Sequence, residues 1–265
     1  MTRRRVLALA YWSVLAAFAL PLALLAVTSL ANGDLVGFPL GPLSLRWYRI
    51  ALADPDYRHA FALSVILALG SGALAVFAGS WIGLAAASLN HRWAELALMA
   101  GALLPLVTPG IIHAVALRIA IQIIGIEPGA GAILLGHAIH ATPYAAIMVR
   151  ARRASLPQEQ IEAARVFGAG PFAVMAYVVL PWLKPALIGA AGLAALTSFD
   201  DFIRSFFLGG YDPTLPVLIF GRLRSGLTAE INAVSTLVLI VMGVACALAA
   251  RGSARLREAD QVGDW

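Results

Sequence analysis

Six apolar runs recur along this chain, each long enough to approach the thickness of a bilayer core, which takes about 20 helical residues. The first runs from Val6 to Asn32 without a charge, directly after Arg3-Arg4-Arg5. It exceeds the apolar part of a signal peptide and lacks a clear small-residue cleavage site, so it reads as a retained span, bent at Pro21. The second covers roughly Ala60 to Leu89, and the third Leu96 to Ile124, with Pro105 and Pro109 breaking its first half. The fourth covers Ala130 to Val149, the fifth Pro185 to Leu208, and the sixth Ile231 to Ala250. The pattern predicts an all-α membrane protein with six transmembrane helices.

The polar segments between these runs divide the chain further. Residues 1–32 form an N-terminal span, 33–59 an external segment, 60–250 a core of five spans, and 251–265 a mobile tail of mixed charge. The 33–59 segment holds Asp34, Arg46, Arg49, Asp54, Asp56 and Arg58, and its Ser44-Leu45-Arg46-Trp47-Tyr48 reads as a piece lying at the headgroup level. Residues 90–95 and 125–129 are turns, and 209–230 is a Gly/Pro-rich polar segment.

The longest polar stretch inside the core is 150–185, entered past Arg150, Arg152 and Arg153. Ser155 with Gln158 fits a capping box, with Pro157 in the first turn. The helix it starts runs through Glu159, Ile161, Ala164 and Arg165 and stops at Gly168, a residue that accepts positive φ. Pro171, after Gly170, starts a second helix, and Pro181 closes it because proline lacks an N–H.

Composition changes the picture little. Apolar residues make up 61%, charged residues 12%, and mean hydropathy is +0.85, far from the soluble norm. The single cysteine, Cys246, excludes an intramolecular disulfide. No GxxxxGK[ST] loop is present, so the chain does not itself bind ATP in that way.

Four features inside the spans are candidates for chemistry. Asp200 and Asp201 are adjacent acids in an apolar run, costly unless they face water, a cation or a partner. Successive helix residues lie about 100° apart, so both point one way only if the helix is broken there. One can then face a cavity while the other pairs with Arg204 or Arg118, or both can cap the segment after a break. Arg118 lies mid-span, either facing a cavity or carboxylate, snorkelling outward, or pairing with Glu127. His137 and His140 stand three apart, a spacing that fits a satisfied buried pair better than a metal site. Gly79 and Gly83 form GxxxG, which permits close helix contact.

Glu162-Ala163-Ala164, with Gly168 four residues after Ala164 and Val178 and Leu180-Pro181 at the far end, resembles the EAA loop of ABC-importer permeases. Isoleucine is usual in that family where Val178 stands, and an apolar residue where Arg118 stands. The SLRWY stretch and SFDDFIRSFFLGG followed by TLPVLIFGRLRSGLTAEINAVST resemble the spermidine/putrescine-type subgroup, so the likeness covers about residues 44–245. The resemblance implies the type I importer fold and a bacterial inner-membrane location. It implies a second permease subunit, two ATP-binding subunits that carry ATP and magnesium, and a periplasmic solute-binding protein. It implies a non-catalytic chain without a cofactor of its own. Glu162, Ala163, Ala164, Gly168, Leu180 and Pro181 would meet the ATPase, and a polyamine would pass Asp200, Asp201 and Arg118. The same role for an amino-acid-like or anionic solute is the alternative.

Other classes fit less of the chain. Gly210-Tyr211-Asp212 echoes half of an intramembrane aspartyl protease site, but its second motif is absent. No GxSG-like nucleophile site is present for an intramembrane serine protease. A channel or proton-coupled carrier has no need of the EAA-like loop.

Six spans place both termini on one side. The N-terminus, the 90–95 turn, the 150–185 loop and the tail hold 12 Arg and Lys, the opposite segments 6. The positive-inside rule then puts both termini and the loop in the cytoplasm, and the basic balance needs no nucleic-acid partner. A cysteine probe at Gln158 should therefore escape an impermeant label in sealed right-side-out cells, while one at Asp56 reacts. Labelling at Gln158 would reverse the orientation.

Overall fold

The computed structural model describes residues 3–33, 41–226 and 228–262. Asp34, the tail residues 263–265 and Leu227 lie outside the described residues. Regular structure is helical throughout, apart from isolated bridges such as that between Ala31 and Leu43. In chain order the helices are α1 (Arg3–Thr28), α2 (Arg46–Ala53), α3 (Pro55–Ser88), α4 (Arg92–Val107), α5 (Gly110–Ile123) and α6 (Ala130–Ala154). They continue as α7 (Gln158–Val166), α8 (Pro171–Val174), a π-helical turn (Met175–Val179), α9 (Leu180–Phe199), α10 (Phe202–Leu208), α11 (Leu215–Leu223) and α12 (Ala229–Val262).

Among the described residues, five helical stretches are long and apolar enough to cross a membrane, and six if the bent pair α4–α5 counts as one span. That pair turns by 106° at Thr108-Pro109. Pro105 does not break α4, contrary to expectation, and the ladder fails only where Pro109 comes after Thr108. The fifth span is also shifted. It runs unbroken from Pro171 to Phe199, with Pro181 and Pro185 inside it, and stops before Asp200. Helix α12 continues past the expected Ala250 boundary to Val262, although its apolar part ends at Ala247.

The chain divides into two compact units. One comprises residues 1–59 and 218–247. Here Trp47 is buried against Ala31, Ala229 and Ala233, and the Tyr48 hydroxyl meets Ser29 Oγ at 2.6 Å. The aromatics of the SLRWY stretch thus pack inward, because α2 folds them onto small residues of α12. Asn232 Nδ2 donates to Thr28 Oγ1 at 3.0 Å. Asp54 caps α3, accepting the Asp56 N–H at 2.8 Å ahead of Pro55, a good first helical residue. Arg222 gathers Asp54 at 2.8 Å, Glu230 at 2.7 Å and Asp56 at 3.2 Å, with its guanidinium over the Tyr57 ring. Burial alone would push the Asp54 carboxyl up. The Arg222 hydrogen bond and charge and the Asp56 and Tyr57 N–H groups outweigh it, holding the group below its ordinary value.

The other unit comprises residues 60–217 and 248–265. Its centre is α6, which packs on α9, α4, α10 and α5. The buried face of α6 is mostly small: Ala132, Gly136, Ala138, Ala141, Ala145 and Ala146. Lipid tails are as apolar as leucine, so helices in a membrane associate through close contact, which small residues allow. The GxxxG of α3 meets this face. A Cβ on Gly79 would lie 2.5 Å from Ala145 Cβ and 2.7 Å from Thr142 O, and one on Gly83 would lie 2.7 Å from Ala146 O. Much of the clash is with backbone, which cannot swing aside. Gly79→Leu should therefore destabilise the detergent-solubilised protein by about 1–3 kcal/mol or more, seen as a lower unfolding temperature. Gly101→Leu, at a position whose Cβ meets nothing, should leave it unchanged.

Candidate functional site

Helix α9 ends at Phe199 because the next two residues leave helical geometry. Asp201 has φ −77° and ψ 90° and caps α10, accepting the Arg204 N–H at 3.0 Å. A short polar side chain competes for backbone donors in this way, which explains a break in an otherwise apolar run. The same carboxylate accepts Arg204 Nη1 at 2.5 Å. Both residues are buried, Asp201 at 8% and Arg204 at 6% exposure, so each neutralises a charge that would otherwise stand alone in the interior. Arg204 Nε lies 3.4 Å from His113 Nδ1 on α5.

A second set of contacts holds the break from the opposite side. Ser71 Oγ of α3 donates to Ser198 Oγ at 2.8 Å, and Ser198 Oγ lies 2.7 Å from His137 Nδ1. With the Ser198 proton directed at Nδ1, the imidazole carries its own proton on Nε2. That nitrogen faces Ser205 Oγ at 3.2 Å and Asp201 Oδ2 at 3.8 Å. His137 is thus a satisfied buried histidine bridging α9 to α10. His140 does not share its site and instead stands in ring contact with His113 at 6.0 Å and Tyr144 at 6.2 Å. Among the described residues no group of three or more His, Cys, Asp or Glu could hold a metal.

The two aspartates therefore part company. Asp200 is exposed, and among the described residues no side-chain hydrogen bond or ion pair engages it. Arg118, half-buried on α5, likewise has no such partner among the described residues, and the partner of Asp201 is Arg204. Ser71, Ser198, Ser205 and His113 complete this network, and sequence reasoning misses them. Their signal is weak: single polar residues in apolar runs, meaningful only once four helices converge.

The 150–185 loop packs on a small apolar core of its own. Val149, Leu156, Ile161, Val174, Val179 and Leu183 form a core beneath it, with Ala164, Ala169, Val178 and Trp182 against its edge. Helix α7 ends in a Schellman motif: Gly168 has φ +84°, its N–H bonds Arg165 O at 2.9 Å, and Ala169 N–H bonds Ala164 O at 3.0 Å. Two local expectations fail. Ser155 does not cap α7; its hydroxyl turns back to Arg152 O at 2.8 Å, closing α6, and Pro157 takes the N-cap place. Pro181 does not end a helix. Pro171 opens α8 as expected, but the chain continues through the π turn, where Leu180 N–H reaches back to Met175 O, and Pro181 falls in the first turn of α9.

Glu162 and Ala163 are exposed on α7, and Leu180 and Pro181 at the start of α9, while Ala164 is half-buried. Four large apolar side chains stand out beside them: Val166 at 85%, Phe167 at 90%, Phe172 at 85% and Tyr177 at 81% exposure. An apolar rim of this kind around a polar helix marks a contact surface.

Comparison with known proteins places this geometry. Residues 76–258 match the family described as binding-protein-dependent transport system inner membrane component. The chain is 32% identical to the putrescine transport system permease protein PotI of Escherichia coli K12, over 84% of this chain and 82% of that protein. It is 28% identical to the spermidine/putrescine transport system permease protein PotC of Haemophilus influenzae, over 81% and 84%. Among solved structures, a chain of a bacterial ABC transporter that imports alginate superposes with a TM-score of 0.71 at 17% identity, covering 95% of this chain and 98% of that one. A chain of the inward-facing methionine transporter MetNI superposes at 0.59 with 22% identity, covering 76% and 98%. The family match spans well over half the chain, and the helical architecture agrees with the solved importers: this chain belongs to the binding-protein-dependent inner-membrane components, the multi-pass permeases of ABC importers.

Proposed function

We propose that this permease subunit forms half of the path for a polyamine and that Asp200 is its acidic contact on that path. The observation that carries the reading is the asymmetry of the acid pair. Arg204 already balances Asp201, whereas Asp200 sits exposed at the helix break with no compensating cation among the described residues. An unbalanced carboxylate at a break between apolar helices favours a cationic solute, whose ammonium group would balance its charge. The names of the PotI and PotC relatives point the same way.

In this reading the chain has no catalytic site and no cofactor. A second permease subunit completes the path, a periplasmic solute-binding protein delivers to it, and two ATP-binding subunits hold ATP and magnesium. Residues 1–32 are the first span and 33–59 the periplasmic segment. Residues 60–250 are the permease core, with the 150–185 loop and the 251–265 tail cytoplasmic alongside the N-terminus. The loop presents Glu162, Ala163, Ala164, Leu180 and Pro181 to the ATPase, together with the rim of Phe167, Phe172 and Tyr177. The reversal at Gly168 supports that role, since it turns the chain back onto its own core.

Arg118 favours a second reading. A half-buried guanidinium without an acidic partner among the described residues suits an amino-acid-like or anionic solute. The two readings separate in uptake of labelled putrescine and spermidine by the assembled transporter. Asp200→Asn should lower uptake roughly tenfold or more through the apparent affinity, the loss of one charge-assisted contact, with assembly intact. Asp201→Asn should instead impair folding, because it leaves Arg204 buried and unpaired. Normal polyamine uptake in Asp200→Asn, with transport of another solute lost in Arg118→Leu, would favour the anionic reading.

The loop gives a further expectation. Gly168→Val should abolish most transport while membrane insertion survives, because a β-branched residue resists φ near +84°. Gly168→Asn should keep more activity, since asparagine tolerates the left-handed region. Uptake at the wild-type rate in Gly168→Val would remove the loop from the coupling.

A further inference from the structure

We propose that Arg152 and Trp182 form a clasp that locks the two legs of the 150–185 loop together, so that the loop, α6 and α9 move as one body. They are positioning residues, both half-buried and engaged with each other. The inference rests on the reading of this loop as the coupling element.

Three contacts join the pair. Arg152 Nε donates to Trp182 O at 2.9 Å, and Trp182 Nε1 donates to Arg152 O at 3.0 Å. The Arg152 guanidinium carbon stands 4.2 Å from the centre of the indole ring. The two hydrogen bonds are reciprocal, each running from one side chain to the other residue's carbonyl. They therefore fix the register of α6 against α9, and both lie where the loop meets the spans. The apolar core below, from Val149 to Leu183, is non-directional contact, and the two hydrogen bonds add direction to it. Arginine suits the task as a rigid planar donor fork that also stacks on a ring, whereas the lysine ammonium is a point charge on a flexible stem without that fork. Tryptophan is the one large ring with a single N–H to aim.

The neighbouring arginine completes the arrangement. Arg150 lies two residues before Arg152, about 200° around the helix. It faces the other way and pairs with Glu95 of α4, its Nε at 2.5 Å from the carboxylate. The end of α6 is thus tied on one side to α4 and on the other to α9. The Arg150–Glu95 pair is the weaker tie, with side chains 42% and 23% exposed, and pairs in water contribute little.

The test uses the permease assembled with its partner permease, ATPases and binding protein. Spin labels are placed at Gln158 in the loop and at Glu127 beside the opposite end of α6, and their separation is measured without nucleotide and after ATP–vanadate trapping. In the wild type the distribution should stay narrow and unchanged between the two states. In Arg152→Lys and in Trp182→Phe it should broaden or shift on trapping, and in the double variant no further. In the same preparations, ATP hydrolysed per labelled putrescine imported should rise roughly threefold or more, the loss of a hydrogen bond and a ring contact. Glu95→Gln should change either reading less than the clasp variants do. Distributions that match the wild type in both clasp variants would overturn the proposal, as would failure of both variants to assemble, which would make the contacts a folding requirement only. Phe167→Ala separates the parent reading. If it leaves ATPase assembly and coupling untouched, the loop is not the coupling element. If it disrupts them while the clasp variants behave as wild type, the clasp alone fails.

Discussion

An ion pair placed in the interior of a membrane unit has to be complete, since removing either partner strands a charge where no water can reach it. Asp201 and Arg204 are such a pair, and much of the local architecture depends on it. The pair forms only if Arg204 lies one turn after Asp201 on a helix that starts there. The carboxylate satisfies that condition itself by accepting the Arg204 N–H at 3.0 Å. Helix α10 must therefore be separate from α9, and the break at Asp200 is a consequence. His113 on α5 and His137 on α6 close the two sides of the pair, and Ser71 on α3 steadies His137 through Ser198. With Asp201 so occupied, the adjacent acid is turned outward. One buried pair thus both shapes the break and leaves Asp200 with an unbalanced charge.

The network needs helices that approach closely, and α6 supplies the approach. Its buried face of alanines and glycines brings α3, α9 and α10 near enough for single side chains to bridge them. Leucines at those positions would fill the space, but would separate Ser71, Ser198 and His137 beyond hydrogen-bond reach. Packing and polar contact are here one requirement. The small residues gain little from hydrophobic transfer in a lipid surround, and their contribution is proximity.

The spans are legible in the sequence because length and apolarity are local properties, and lipid demands both of every helix. The glycine at 168 is legible for a similar reason: few residues accept φ +84°, and its neighbours on both sides read as helix. Proline is harder to read. Pro105 and Pro181 look like breaks in the sequence, yet Pro105 sits inside α4 and Pro181 directly after a π turn, in a helix that continues through it. Ser155 looks like a cap for α7, but it serves the helix behind it. The aromatics of the SLRWY stretch suit the headgroup level by composition, but Trp47 is 7% exposed in its unit. The acid pair is legible as a problem, without its solution. That one aspartate caps and pairs while the other faces out depends on Ser71, His113 and His137, which lie far away in sequence. The apolar rim at Phe167, Phe172 and Tyr177 is hidden because isolated aromatics in a loop look like core.

One continuous helix joins the loop to the acid pair. From Pro171 to Phe199 the chain runs unbroken, a length of about 43 Å at 1.5 Å per residue. One end lies in the loop and the other ends against Asp200. The π turn at Met175–Val179 is the one irregular stretch of this helix, where the i→i−5 bond replaces the regular ladder. Trp182 lies just beyond that turn, on the side toward the span. Contacts with Arg152 there engage α9 beyond the π turn, while the loop core holds the helix at Val174 before the turn, at Val179 within it and at Leu183 after it. The π turn is bracketed on both sides by contacts to the same partner, the end of α6 and the core beneath it. Helices α9 and α6 thus both run from the loop to the hydrogen bonds between His137, Ser198 and Ser205 at the helix break.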